Sequence, residues 1–407
     1  MRVLITTYGS RGDVEPVAGL ALELRRLGAE TRVCAPPDED LARRLTAVGA
    51  EAVPLGRSVR DLVAGPRPAV PADAPQVAAA LVDAQFETLL PAAEECDALV
   101  ATGMFPAAAR TVAEHHGIPY VFVSFMPGVL PSPHHPPLPR PGKPFPSGSD
   151  NRAKWDIDAE NLRALYAGPL NERRASMGLA PVDDVRAHTV TDRPWLASDP
   201  VLGPWRYTPE LEVVRTGSWI LPDERPLPEE LEAFLEAGEP PVFVGYGSMP
   251  IRDPRAASRA ALEAVRAHGR RAVIARGWAD LGPLGEEEDC FGVGEVNHQE
   301  LFRRVAAVVH HGGAGTTATA ARSGTPQVVV PQMADQPYWA GRVAELGIGV
   351  AHEGPAPTSD SLSAALETAL TARVRAAAAA VAAEIRTDGA AVAAKRLVET
   401  VRSAGTG

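Results

Sequence analysis

The sequence runs to 407 residues, enough for about two domains of ordinary size, each with its own core. Hydrophobic residues make up 45% and charged residues 22%, the balance of a soluble globular protein. A net charge of -11 and a pI near 5.5 argue against a nucleic-acid partner, which needs clustered Lys and Arg.

Cys34, Cys96 and Cys290 are too far apart for a metal set or a disulfide framework, so a reduced, cytoplasmic setting is expected. The opening Met1-Arg2-Val3-Leu4-Ile5 has no charged segment ahead of an apolar run, and no signal peptide is expected. Gly, Pro or charge interrupts every long apolar stretch, so no membrane span is expected either.

Strand-like and helix-like runs alternate from the first residue, the pattern of parallel α/β layering. Val3–Thr7, Glu30–Cys34, Asp97–Thr102 and Ile118–Ser124 read as buried strands, with helices over Val14–Leu27 and Gln76–Ala93. Residues 127–148 then carry Pro127, Pro131, Pro133, Pro136, Pro137, Pro139, Pro141, Pro144 and Pro146, which forbids helix and central strand alike. Such a loop is either a wall or lid for an acceptor or a mobile surface excursion, and both readings stay open. Prolines 200, 204, 209, 222, 226 and 228 predict an interdomain linker. A second series follows, with strands over Val242–Tyr246, Arg271–Ala275, Ala306–His310 and Gln327–Val330 and a helix over Ala256–His268. Ala-rich helices over Arg373–Ile385 and Gly389–Arg402 close the chain. Two α/β halves facing each other across a cleft are therefore expected.

The turn after the first strand reads Gly9-Ser10-Arg11-Gly12-Asp13. A bland reading makes Asp13 a helix N-cap. Its place at the ligand crevice of a doubly wound sheet suits a carboxylate that takes a proton from an attacking hydroxyl. In the second half, Val308-Val309 run into His310-His311-Gly312-Gly313-Ala314-Gly315-Thr316, a strand, a glycine-rich turn and a helix start. Backbone N–H groups and the helix dipole converge there on one point, which suits a diphosphate. Pro331-Gln332-Met333-Ala334-Asp335-Gln336 puts an acid beside an amide, a pair fitted to sugar hydroxyls, although capping of a helix over Tyr338–Leu346 explains it too. Gly247-Ser248 offers a further hydroxyl and N–H, and Trp278 reads equally as a base-stacking or a core ring.

Rival chemistries leave weaker marks. Gly313-x-Gly315-x-x-Ala318 fits a dinucleotide fingerprint, but Asp335 lies beyond Pro331 rather than at a strand tip. Gly247-Ser248 lacks the second glycine of a serine-nucleophile turn, having Pro250 instead. Asp38-Glu39-Asp40 and Asp156-Ile157-Asp158 match a metal-binding pattern but precede helical runs, where acids suit the dipole. His115-His116 and His134-His135 lack partners at ligand spacing. No metal is expected.

With these residues assembled, the chain resembles the family 1 glycosyltransferases of fold type B over nearly its whole length. Thr191–Ala197, Leu221–Leu227, Asp289–Phe291, Gly294–Gln299 and Ala340–Gly347 narrow the resemblance to the vancomycin-group, or glycopeptide antibiotic, glycosyltransferases. The resemblance implies two Rossmann-like domains facing across a cleft. Residues 1–200 would bind the aglycone acceptor, 201–228 would form the linker and 229–385 would bind the nucleotide sugar. Residues 386–407 would form a helix returning to the N-terminal domain. It implies nucleotide and diphosphate contacts at Ser10, Arg11, Gly12, Ser248, Trp278, Val296 (through the backbone), His311, Gly313, Ala314, Gly315 and Thr316. Asp335 and Gln336 would meet the sugar, and Asp13 would be the catalytic base, with Asp335 a competing candidate.

The activity implied is inverting transfer of a hexose, glucose or an N-acyl glucosamine type, from a UDP- or dTDP-sugar to a hydroxyl of a heptapeptide aglycone. No cofactor beyond that donor and no partner beyond these small molecules is implied, and a monomer is expected. A polyketide or macrolide acceptor, or a non-catalytic nucleotide-sugar-binding role, are the alternatives.

Overall fold

The computed structural model describes residues 1–64, 71–140, 143–282 and 287–404. The chain divides into two compact units, Met1–Pro200 with Pro204–Leu221 and Arg386–Gly407, and Val201–Gly203 with Pro222–Ile385.

The first unit is built on a seven-stranded parallel sheet in the order β3-β2-β1-β4-β5-β6-β7. Its strands are β1 Arg2–Thr6, β2 Glu30–Ala35, β3 Glu51–Pro54, β4 Ala98–Ala101, β5 Tyr120–Ser124, β6 Trp195–Leu196 and β7 Val214–Arg215. The central β4, Ala-Leu-Val-Ala, is buried at every position, as a parallel strand covered on both faces must be. The Pro200–Pro228 stretch is more than a linker. Its middle, the proline-free run between Pro209 and Pro222, enters the sheet as the edge strand β7.

The second unit carries a six-stranded parallel sheet in the order β10-β9-β8-β11-β12-β13. These strands are β8 Val242–Gly245, β9 Ala272–Ala275, β10 Cys290–Val293, β11 Ala307–His310, β12 Gln327–Val329 and β13 Gly349–Ala351. In each sheet the strand order reverses once, between β1 and β4 and between β8 and β11. A crevice opens at such a point beyond the carboxyl ends of the strands, because the flanking helices leave toward opposite faces.

The terminal helix Gly389–Ala404 packs on the first helix, Arg11–Arg26, within the first unit. Ala390, Ala393, Ala394 and Leu397 repeat at three- and four-residue spacing, so one face meets the core around Val17, Leu20 and Leu24. The Arg386 N–H donates to the buried Asp199 carboxylate at 3.0 Å, fixing where this helix enters. At Gly389 any Cβ would overlap the Gly217–Ser218 backbone. Gly389→Val is therefore expected to cost about 1–3 kcal/mol through overpacking. Thermal unfolding should register this as a loss of several degrees (roughly 2–4 °C per kcal/mol). An unchanged melting temperature would show that this contact is not tight.

All three cysteines are free and buried. Among the described residues, no helix is long and apolar enough to cross a membrane.

Candidate active site

In the first unit, Ser10–Asp13 follows β1 at its strand-order reversal. Ser10, not Asp13, is the N-cap residue of the Arg11–Arg26 helix; Asp13 is its third residue. The Asp13 carboxylate leans back over Gly9, where any Cβ would overlap it, and the side chain is half-buried. On the other side of the reversal, the Met104 N–H donates to the Tyr8 carbonyl at 2.7 Å. Gly103, at φ +80°, lets the two loops meet, since a Cβ there would lie 2.7 Å from the Tyr8 backbone. Arg11 is turned along its helix, its Nε donating to Glu15 at 2.6 Å, and Arg44 pairs with the same carboxylate at 3.2 Å. Gly12 is exposed with open space beside it.

In the second unit, four turns gather at the carboxyl ends of β8, β9, β11 and β12. The Trp278 N–H donates to the Gly247 carbonyl at 2.9 Å, joining the β8 and β9 turns, and the Trp278 ring is half-buried. The His311 ring lies between the β8 turn and the helix Ala314–Arg322. A Cβ on Gly247 would come within 2.9 Å of His311 Cε1, and one on Gly313 within 2.6 Å of Nε2. His311 Nδ1 is buried without a hydrogen-bond partner. Burial pushes the imidazole down to about 4, so it is neutral at pH 7 and can serve a ligand as a hydrogen-bond donor, not as a cation.

Gly313 is the N-cap of that helix and has no side chain to cap it. Thr317 N–H is the first bonded to a carbonyl four residues back, that of Gly313 at 3.0 Å. The N–H groups of Ala314, Gly315 and Thr316 precede that bond, which makes the helix start an anion site in the making.

The Pro331–Gln336 turn abuts the same place, because Gly312 has only 3.2 Å between its Cβ position and the Gln336 carbonyl. Asp335 Oδ2 accepts from Trp339 Nε1–H at 2.7 Å. Burial pushes the Asp335 carboxyl above the usual carboxylate range, and the Trp339 bond draws it part of the way back. Gln336 is 3% exposed and largely committed. Its Oε1 accepts from the N–H groups of Gln332 at 2.7 Å and Met333 at 3.1 Å, and its Nε2 donates to Met249 Sδ at 3.1 Å. It therefore shapes the turn first.

Val296 is buried among Val293, Leu301 and Phe302, which leaves its backbone rather than its side chain for a ligand. Asn297 locks that turn, its Oδ1 accepting from Gln299 N–H and its Nδ2 donating to the Asp223 and Arg225 carbonyls. Ser248 is half-buried in the β8 turn.

One acid of each D-x-D pattern is engaged in a bond within its unit. Asp38 accepts from Ser58 Oγ and from the Val59 and Arg60 N–H groups. Asp158 pairs with Arg140 at 2.8 Å, while Asp156 is exposed two positions away on the helix, on a different face. Among the described residues, no group of three or more His, Cys, Asp or Glu side chains is set to hold a metal ion.

The Asp158–Arg140 pair also ties down the proline-rich segment. Trp155 Nε1 donates to the His135 carbonyl at 2.9 Å and Asn151 Nδ2 to the Pro133 carbonyl at 3.0 Å. Residues 133–140 are thus tied to the helix Asn151–Ser176; Pro141 lies outside the described residues. Sequence reasoning missed the Trp339 and Met249 contacts. The four-residue spacing of Asp335 and Trp339 on one helix was the available signal for the first.

Two parallel α/β units, each with one strand-order reversal, are the framework of the GT-B glycosyltransferase fold. Residues 289–399 match the Erythromycin biosynthesis protein CIII-like C-terminal domain family. Glycosyltransferase GtfE of Amycolatopsis orientalis is 54% identical over 98% of both chains. The Vancomycin aglycone glucosyltransferase of the same organism is 53% identical, again over 98% of both. Its dTDP-epi-vancosaminyltransferase is 49% identical over 94% of this chain and 93% of that one. Among solved structures, glycosyltransferase VinC in complex with dTDP superposes with a TM-score of 0.68 at 22% identity, covering 100% of both chains. The chain belongs to the vancomycin-group glycosyltransferases of family 1.

Proposed function

We propose that this enzyme moves a hexose, glucose or an N-acyl glucosamine type, from a UDP- or dTDP-sugar to a hydroxyl of a glycopeptide heptapeptide aglycone, inverting the anomeric carbon. The observation that carries the donor half is the His311 ring held between Gly247 and Gly313 over an uncapped helix start. The acceptor half rests on the relative named a vancomycin aglycone glucosyltransferase. For the nucleotide, the dTDP-epi-vancosaminyltransferase and the dTDP complex of VinC favour dTDP without excluding UDP.

In this reading Asp13 accepts the proton of the attacking hydroxyl as its oxygen bonds to the anomeric carbon. The bond from that carbon to the diphosphate breaks on the opposite face. The charge arriving on the diphosphate meets the N–H groups of Ala314, Gly315 and Thr316 and a donated hydrogen bond from His311. Asp335, oriented by Trp339, holds a sugar hydroxyl. Gln336 adds its Nε2, whose thioether partner is a weak acceptor that a hydroxyl displaces. The first unit would bind the acceptor, with residues 127–140 as part of its wall, and the second unit the donor. The enzyme would act as a cytoplasmic monomer.

Mass spectrometry of products from a panel of nucleotide sugars and glycopeptide aglycones tests the whole assignment; no glycosylated aglycone with any donor would refute it. Because helix-start N–H groups do the work of a cation, activity is expected to survive a chelator. Abolition by chelation with rescue by Mg²⁺ or Mn²⁺ would require a metal site.

A further inference from the structure

His310 is fully buried, and its ring stands edge-on to that of its neighbour His311 with centroids 6.4 Å apart. Its Nδ1 accepts the Gly312 N–H at 3.1 Å. A backbone N–H only donates, so the ring proton must sit on Nε2. That proton is donated to Gln327 Oε1 at 2.9 Å, from β11 to the adjacent β12. Gln327 is also fully buried, a polar side chain in the strand Gln-Val-Val, and its Nε2 has no hydrogen-bond partner. Leaving that amide unsatisfied is costly, so the contact it makes with the imidazole must be worth keeping.

The bond to Gly312 acts at the point where the chain must bend. Gly312 has φ +91°, and a Cβ there would come within 2.7 Å of Val329 Cγ1. His311 and Gly313 stand on either side of this bend.

We infer that His310 and Gln327 form a tautomer-setting pair that positions the diphosphate contacts: Gln327 keeps the proton on His310 Nε2, and Nδ1 thereby holds the Gly312 bend. His310 is a positioning residue, since it acts through Gly312 on His311 and the helix start. Burial, with His311 and His298 adding repulsion, pushes the His310 imidazole down to about 3, so the acceptor form persists across the working range. Those two histidines are the titratable groups that act on it. On the strands to either side, Gly245 of β8 and Val329 of β12 stand opposite it in register, and Gln327 adds only a neutral amide.

This inference rests on the diphosphate reading of the helix start, and the experiment separates the two. Dissociation constants of dTDP and UDP are measured by calorimetry for the full chain. Gln327→Glu places a carboxylate against Nε2 and favours the imidazolium, raising the His310 pKa. A proton then enters Nδ1 as pH falls, turns it from acceptor to donor and breaks the Gly312 bond. Binding in Gln327→Glu should be near normal at about pH 8.5 and fall by about pH 5.5 roughly tenfold or more beyond the fall in the unaltered protein, which reports the nucleotide's own terminal phosphate titrating at about pH 6.

His310→Leu should weaken binding about tenfold or more, and His310→Asn, whose Oδ1 replaces the Nδ1 acceptor, should restore most of it. A flat pH profile for a folded Gln327→Glu protein, or equal affinities for His310→Leu and His310→Asn, would overturn the inference. His311→Ala decides the underlying reading. If it binds both nucleotides as tightly as the unaltered protein, the diphosphate reading fails; if it is weakened while the His310 and Gln327 variants are not, only the pairing fails.

Discussion

Asp13→Ala is expected to lower turnover by about 10²-fold or more while leaving nucleotide affinity near normal, the pattern of a lost general base. Asp13 stands at the strand-order reversal of the first unit, while every proposed phosphate contact built from helix-start N–H groups belongs to the second. Removing one carboxylate there changes no group that holds the diphosphate. Its backbone duties survive the substitution as well. The N–H of residue 13 still reaches the Ser10 carbonyl, and its own carbonyl still accepts from Thr7 Oγ1. Asp13 is the acid of the first helical turn, so the gain in helix propensity on Asp→Ala is offset by a lost dipole interaction of about 0.3–1 kcal/mol, and the variant should stay folded. Steady-state kinetics on a folded variant give the answer. An unchanged turnover number would remove Asp13 as the base and move the role to Asp335, whose carboxyl is already raised by burial toward a working base.

The elements that sequence reading recovers best are those in which one residue type has no substitute. The strand β11 and the turn after it stand out because buried parallel strands are continuously apolar and because only glycine tolerates the φ of Gly312. Short edges are a different matter. β6 and β7 have two residues each, and β13 is only half-buried, so none carries enough periodicity to separate from a loop.

The prolines on either side of the β7 run hide it further, because they mark a linker. Among the site residues, chemistry is legible but partnership is not. Gln336 looks like a hydroxyl-binding amide, yet the N–H groups of Gln332 and Met333 have claimed its oxygen. His310 and His311 look equivalent in sequence. At the end of a strand successive side chains point to opposite faces, so one becomes an internal strut and the other faces the β8 turn. A glutamine opening an apolar run, as Gln327 does, is the only sequence trace of that difference.

Gly312→Ala and Gly315→Ala should behave in opposite ways although both sit in the same glycine-rich stretch. At Gly312 an alanine meets two penalties. Its backbone would have to hold φ +91°, worth about 1–3 kcal/mol of strain for a residue with a Cβ. The new methyl would also press within 2.7 Å of Val329 Cγ1. The bend would relax, His311 and the helix start would lose their mutual placement, and both thermal stability and dTDP or UDP affinity should fall, the latter by roughly 10²-fold.

Gly315 is exposed, is the second residue of its helix and has open space where a Cβ would stand. Alanine there should raise stability by up to about 1 kcal/mol, since it removes the backbone entropy glycine loses in a helix. Its methyl becomes an obstacle only when a phosphate approaches the backbone, so nucleotide affinity should drop while the melting temperature rises. Calorimetric titration beside thermal unfolding separates the cases. If Gly315→Ala binds nucleotide as tightly as the unaltered protein, nothing approaches that backbone closely, and the helix start is not the diphosphate site.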